Sequence, residues 1–151
     1  MDSPVKKPFD QKLFDDYDQQ GCDTVKRFVR NVWNIEAHTF LKYQVDLIMK
    51  SGESWVGFIE VEVRNWGGGL CPFDTIHIAQ RKAKLLKNGM PTVMFVVSSG
   101  GKYGYYCDAG EILDSPLVEI GNKYVKSGEY FYDVPIDKFI LVDLTNGDFD
   151  D

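Results

Sequence analysis

Two stretches of the chain alternate apolar and polar residues at the two-residue period of a half-buried strand. Over residues 43–49, Gln44, Asp46 and Ile48 fall on one face, and Val45, Leu47 and Met49 on the other. Over residues 55–66, Phe58, Glu60, Glu62 and Arg64 share one face, while Ile59, Val61 and Val63 share the opposite one. The polar turn at 50–54, with Gly52 at its centre, predicts a hairpin. Upstream, Val25, Phe28, Val29, Val32 and Trp33 recur at helical spacing behind Asp23, an N-cap residue type. A shorter acidic helix over 9–20 is expected to end at Gly21. Residues 34–42 lead into the first strand, as an added strand of their own.

Downstream, Ile78, Ala79, Ala83, Leu85 and Leu86 cluster at the helical period, which predicts a helix over 78–87. Lys82 falls inside that apolar face, between Ile78 and Leu86. Arg81, Lys84 and Lys87 fall outside it. A lysine on a buried face requires a partner for its ammonium. The run TVMFVVS at 92–98 has the unbroken apolarity of a central strand. A helix followed by such a strand predicts a crossover back to the same sheet. Further strands are expected at 103–109, 129–134 and 138–144. Residues 111–126 read as a short helix or irregular segment broken by Pro116 and Gly121. The loop Trp66-Gly67-Gly68-Gly69 has no Gly-Lys-Ser/Thr after it, so it is not a phosphate-binding loop.

If the two alternating strands pair with faces aligned, Asp46, Glu60 and Glu62 converge. Three adjacent carboxylates repel unless a cation lies among them, and oxygen-only ligands suit Mg²⁺ or Mn²⁺. Lys82 on the adjoining helix would offset the same charge.

Composition narrows the partners. The 151 residues carry 17 basic and 23 acidic side chains, a net charge of −6, which argues against a generic nucleic-acid binder. The charges are segregated, however. Residues 75–107 contain Arg81, Lys82, Lys84, Lys87 and Lys102 and no acid, whereas residues 108–151 hold eleven acids and three lysines. A local basic strip can follow a phosphate backbone, or can be a solvated helix face. Cys22, Cys71 and Cys107 form no CxxC pair, so neither a disulfide framework nor a zinc site is indicated, and a reducing cytoplasm is expected. No apolar run is long enough to span a bilayer, and the first ten residues lack a signal-peptide core. Glu36 and His38 share strand parity. His77 reads as a phosphate or water contact, or as a capping or packing residue. Tyr103, Tyr105 and Tyr106 read as base-stacking or packing residues.

An Asp, a strand turn, Glu-x-Glu on the next strand and a buried basic residue on the following helix resemble the PD-(D/E)XK nuclease superfamily. The resemblance covers roughly residues 20–97. Val45 stands where the superfamily motif has Pro, and Glu62 where it usually has Lys. Some restriction endonucleases of the superfamily carry Glu there, and in other members the lysine sits on the neighbouring helix, the place of Lys82. A second register, Glu62-Val63-Arg64, puts Arg in the Lys position. The runs IEVEVRNW and IHIAQRK also look like small phage proteins of the superfamily.

The resemblance implies one α/β domain over 1–151 with a restriction-endonuclease-like mixed central sheet flanked by helices, and extra C-terminal strands. It implies a Mg²⁺-dependent DNA nuclease of the cytoplasm, phage-encoded or not, with a homodimer as an open alternative. Asp46, Glu60 and the Val61 carbonyl would hold the metal. Glu62 would be a further ligand or would orient water. Lys82 would neutralise phosphate charge, with Gln80, Arg81, Lys84 and Lys87 on neighbouring phosphates. Two rivals stand beside this reading. One is a catalytically silent protein of the same fold that binds nucleic acid or protein. The other is an assembly protein using its tyrosine-rich sheet as a contact surface.

Overall fold

The apolar run at 92–98 forms β5 (Thr92–Ser98), and it is covered on both faces. Met94 and Val96 enter one core, and Phe95 and Val97 enter the other. Double burial is why this strand does not alternate with polar residues. The structure, a computed structural model, describes residues 11–39, 47–122 and 125–145.

Around β5 lies a mixed six-stranded sheet. Its strands are β1 (Glu36–Thr39), β2 (Leu47–Ser51), β3 (Ser54–Arg64), β5, β6 (Tyr103–Asp108) and β9 (Ile140–Asp143), in that spatial order. β3 and β5 run parallel, and the other neighbours are antiparallel. A second, antiparallel sheet has the order β4 (Thr75–Ala79), β8 (Val125–Pro135), β7 (Leu117–Asn122). The chain is therefore α/β.

One face of the large sheet is covered by α1 (Gln11–Phe28), whose Cys22, Val25 and Phe28 meet Leu47, Met49, Ile59, Val61, Phe95 and Val97. Trp33 and Tyr106 add a T-shaped ring contact at 5.0 Å. The opposite face packs on the second sheet. There Met94, Val96, Tyr105 and Cys107 meet Ile76, Ile78, Tyr132 and Val134. Leu86 of α2 (Ala83–Leu86) and Ile112 of α3 (Ala109–Leu113) close that layer. Among the described residues, no helix is long and apolar enough to cross a membrane.

Several sequence expectations are corrected. The two N-terminal helices are one: α1 runs through Gly21 to Phe28, and a π-helical turn, Val29–Trp33, extends it. Gly21 is not a terminator. A Cβ there would sit 2.7 Å from Val63 Cγ2, so glycine lets the helix lie close on β3. The helix over 78–87 is also not formed as such. Ile78 and Ala79 belong to β4, a 3₁₀ turn follows at Gln80–Lys82, and only Ala83–Leu86 is α-helical. Ile76 and Ile78 alternate inward against β8, and that long-range ladder overrides the local helical spacing.

Of the segment read as a short helix or irregular, residues 111–113 end the helix α3, while residues 117–122 form β7. The extra C-terminal strands divide between the sheets. β7 and β8 join β4, while β9 becomes an edge of the large sheet. Of the first expected strand, residues 43–46 lie outside the described residues, as does the acidic tail over 146–151.

Candidate functional site

Strand parity places Glu60 and Glu62 on the β3 face turned toward the second sheet. Their neighbours Ile59 and Val61 point into the helix-side core. Glu60 stands opposite Met94 and Glu62 opposite Val96 in the parallel ladder. Because that face is roofed by β4 and the turn after it, Glu60 is only 4% exposed. A carboxylate so placed needs a positive or hydrogen-bonding partner.

The roof supplies one. Lys82, last residue of the 3₁₀ turn, donates from Nζ to Glu60 Oε2 at 2.6 Å. The distance is that of a charge-assisted bond. Glu62 is answered from its own strand. Arg64 Nε and Nη2 both donate to Glu62 Oε2, at 3.1 and 2.9 Å. Nη2 of Arg64 also donates to the backbone carbonyl of His77 in β4. Glu62 Oε1 is buried and has no hydrogen-bond partner among the described residues.

The remaining expected residues divide. Asp46 lies outside the described residues. Val61 directs its side chain into the helix-side core, so only its backbone is available to a ligand. Gln80, Arg81 and Lys84 line one shallow groove, together with Glu129 and Tyr130 of β8. Arg81 is partly neutralised there, with Nη1 3.6 Å from Glu129 Oε2. Lys87 is exposed at the end of α2 and does not line that groove. The basic residues thus flank the Glu60–Lys82 pair on one short segment rather than along a long helix.

His77 Nε2 lies 3.0 Å from Asp133 Oδ1, and its ring rests 6.0 Å from that of Phe131. The histidine therefore ties β4 to β8. Tyr105 and Tyr106 serve packing: Tyr105 is buried and its Oη accepts the Cys71 N–H at 2.9 Å, while Tyr106 stacks on Phe95. Glu36 and His38 do share a face, 3.1 Å apart on exposed β1.

The sequence also allows Glu60 and Glu62 to line a solvated strand face paired with Arg64 and lysines; the Arg64–Glu62 pair does form, but on a face that the second sheet covers. The signal for it was strand parity, since residues i and i+2 project alike. The partners Asp133 and Glu129 carried no local signal, because β8 follows β4 only after several intervening elements.

Among the described residues, no three His, Cys, Asp or Glu side chains gather as a metal site. Glu60 and Glu62 nevertheless suit a hard cation. Both offer oxygen, and Glu62 keeps one buried oxygen unengaged among the described residues. Mg²⁺ is commonly held by one or two carboxylates, with water completing its shell. No protein-family model matches this chain, and no curated protein matches it significantly.

Proposed function

We propose that this chain is a metal-dependent nuclease that hydrolyses DNA phosphodiester bonds. The observation that carries the reading is the buried Glu60–Lys82 pair, with Glu62 beside it on one strand face. A carboxylate pair next to an ammonium can serve both a hard cation and the phosphate it binds. On this reading the six-stranded layer is a restriction-endonuclease-like core.

Glu60, Asp46 and the Val61 carbonyl would hold Mg²⁺ or Mn²⁺. The chemistry supplied there by a bound cation would be polarisation of the scissile phosphate and a more acidic water. Glu62 is a second ligand or orients that water. Lys82 neutralises charge that develops on the phosphate. Gln80, Arg81, Lys84 and Lys87 hold flanking phosphates. The exposed Tyr130 offers an aromatic face in the same groove.

The test is cleavage of duplex, branched and single-stranded DNA at low salt by the purified chain. Cutting should require Mg²⁺ or Mn²⁺, stop in EDTA and vanish in Asp46→Ala. Cutting that survives Asp46→Ala belongs to another site or protein.

One observation favours a second reading. Each described carboxylate of the site already has a protein cation, Lys82 for Glu60 and Arg64 for Glu62. A catalytically silent protein of the same fold, acting as a binding module, could be built this way. Retained DNA binding with no cleavage of any substrate would select it.

A further inference from the structure

Glu62 and Glu60 are neutralised in different ways. Glu60 receives an ammonium from another element, whereas Glu62 receives a guanidinium from two residues along its own strand. Both contacting nitrogens of Arg64 converge on the single oxygen Oε2, at 3.1 and 2.9 Å. One of those two nitrogens, Nη2, also donates to the His77 carbonyl of β4. A planar group fixed to a carboxylate oxygen and to a backbone carbonyl has little freedom left. It therefore fixes the direction of the other carboxylate oxygen. That oxygen, Oε1, is buried and has no hydrogen-bond partner among the described residues. His77 is in turn held across the second sheet by Asp133 at 3.0 Å.

We propose that Arg64 is a positioning residue, which holds Glu62 by Oε2 so that Oε1 is presented to a divalent cation. The proposal rests on the metal-dependent reading above. It makes β4, through the His77 carbonyl, part of the support of the site. On this proposal Arg64 contacts neither substrate nor metal. It acts on the ligand, as the partners behind metal-binding side chains generally do.

The sign of its effect on metal affinity separates positioning from charge. Deleting a cation beside a metal site should tighten Mn²⁺ binding if Arg64 contributes charge alone. Deleting an orienting partner should weaken it, typically about ten- to a hundredfold. The experiment is titration of the full chain with Mn²⁺, read by the electron paramagnetic resonance signal of the free ion and by calorimetry. Arg64→Met is expected to weaken binding about tenfold or more. Arg64→Lys keeps the charge but not the planar two-nitrogen contact, and it should recover only part of the loss. Arg64→Met that binds Mn²⁺ as tightly as the unsubstituted chain, or more tightly, overturns the proposal. If Arg64→Met does not fold, Arg64→Lys decides: weakened binding upholds positioning, and unchanged binding overturns it. If the unsubstituted chain binds Mn²⁺ no better than Glu60→Gln does, the metal-dependent reading itself fails, and the role of Arg64 falls with it.

Discussion

Lys82 reaches Glu60 across the gap between two sheets, with Nζ 2.6 Å from Oε2 and side chains 17% and 5% exposed. The segment joining the parallel strands β3 and β5 thus carries the cation that neutralises a carboxylate on β3. A buried pair of this kind contributes little net stability against an apolar alternative, but it is costly to break from one side.

Lys82→Met should therefore destabilise the chain by about 3–5 kcal/mol, because it strands a buried Glu60 charge. Adding Glu60→Gln should recover a large part of that loss, since the amide carries no charge. Urea unfolding of the two single variants and the double variant measures both effects. On the catalytic reading Lys82→Met also slows cleavage about a hundredfold. Lys84→Met, at an exposed position, should change affinity modestly and stability hardly at all. A Lys82→Met chain as stable as its parent would mean that the Glu60 carboxylate does not depend on this ammonium.

Metal should stabilise the folded chain. At a hundred times its dissociation constant, Mn²⁺ bound only to the native state contributes about 2.7 kcal/mol. Thermal unfolding should shift upward with Mn²⁺ and return in EDTA. Asp46→Ala and Glu60→Gln should each lose most of the shift. A melting temperature indifferent to Mn²⁺ and Mg²⁺ would remove the cation from the reading.

Gly21 offers a test of packing rather than chemistry. Alanine is the better helix former by roughly 0.5–1 kcal/mol. Here its Cβ would meet Val63 Cγ2 at 2.7 Å and Val61 Cγ1 at 3.4 Å. Valine is stiff at χ1 and yields poorly. Gly21→Ala should cost about 1–3 kcal/mol, as overpacking does. The double variant Gly21→Ala/Val63→Ala should lose less than the sum of the two single changes. An additive double variant would mean that the helix shifts instead of clashing.

The Cys107 thiol is pushed up from its ordinary value of 9.0 to about 12, first by burial and then by the nearby Glu111 and Asp108 carboxylates. It should resist iodoacetamide in the native chain at pH 8 and react once the chain is unfolded. The raised value also makes stability depend on pH. Below about 9 the thiol is neutral in both states, and its contribution is fully present. As pH rises from there toward about 12, only the unfolded chain ionises, so stability falls. Cys107→Ser should flatten that alkaline loss. An unchanged alkaline profile would assign the loss to other groups.

The parity of β3 was legible because a two-residue period puts Glu60 and Glu62 together whatever covers them. β5 was legible because a short, β-branched and unbroken apolar run such as TVMFVVS suits a doubly buried strand. The cover over Glu60 was not legible. It depends on β4 pairing with β8, and local periodicity carries no information about so distant a partner. Ile78, Ala79, Ala83, Leu85 and Leu86 fit a helix as well as they fit a strand, a turn and one helical turn. Lys82 accordingly meets Glu60 from the end of a 3₁₀ turn, not from a helical face. Gly21 was read as punctuation because its cause, the approach of α1 to Val63, exists only in three dimensions.

The path of the chain between the two sheets has a consequence for how it comes apart. The chain leaves the large sheet after Arg64 to lay down β4, and returns at Thr92. It leaves again after Asp108 for β7 and β8, and closes with β9 on the outer edge of β6. Neither sheet is a continuous length of sequence, so neither can detach while the other keeps its strands. Heat and denaturant should therefore melt both in one cooperative step. A cut at any loop between β3 and β9 should release two fragments that fold only on recombination.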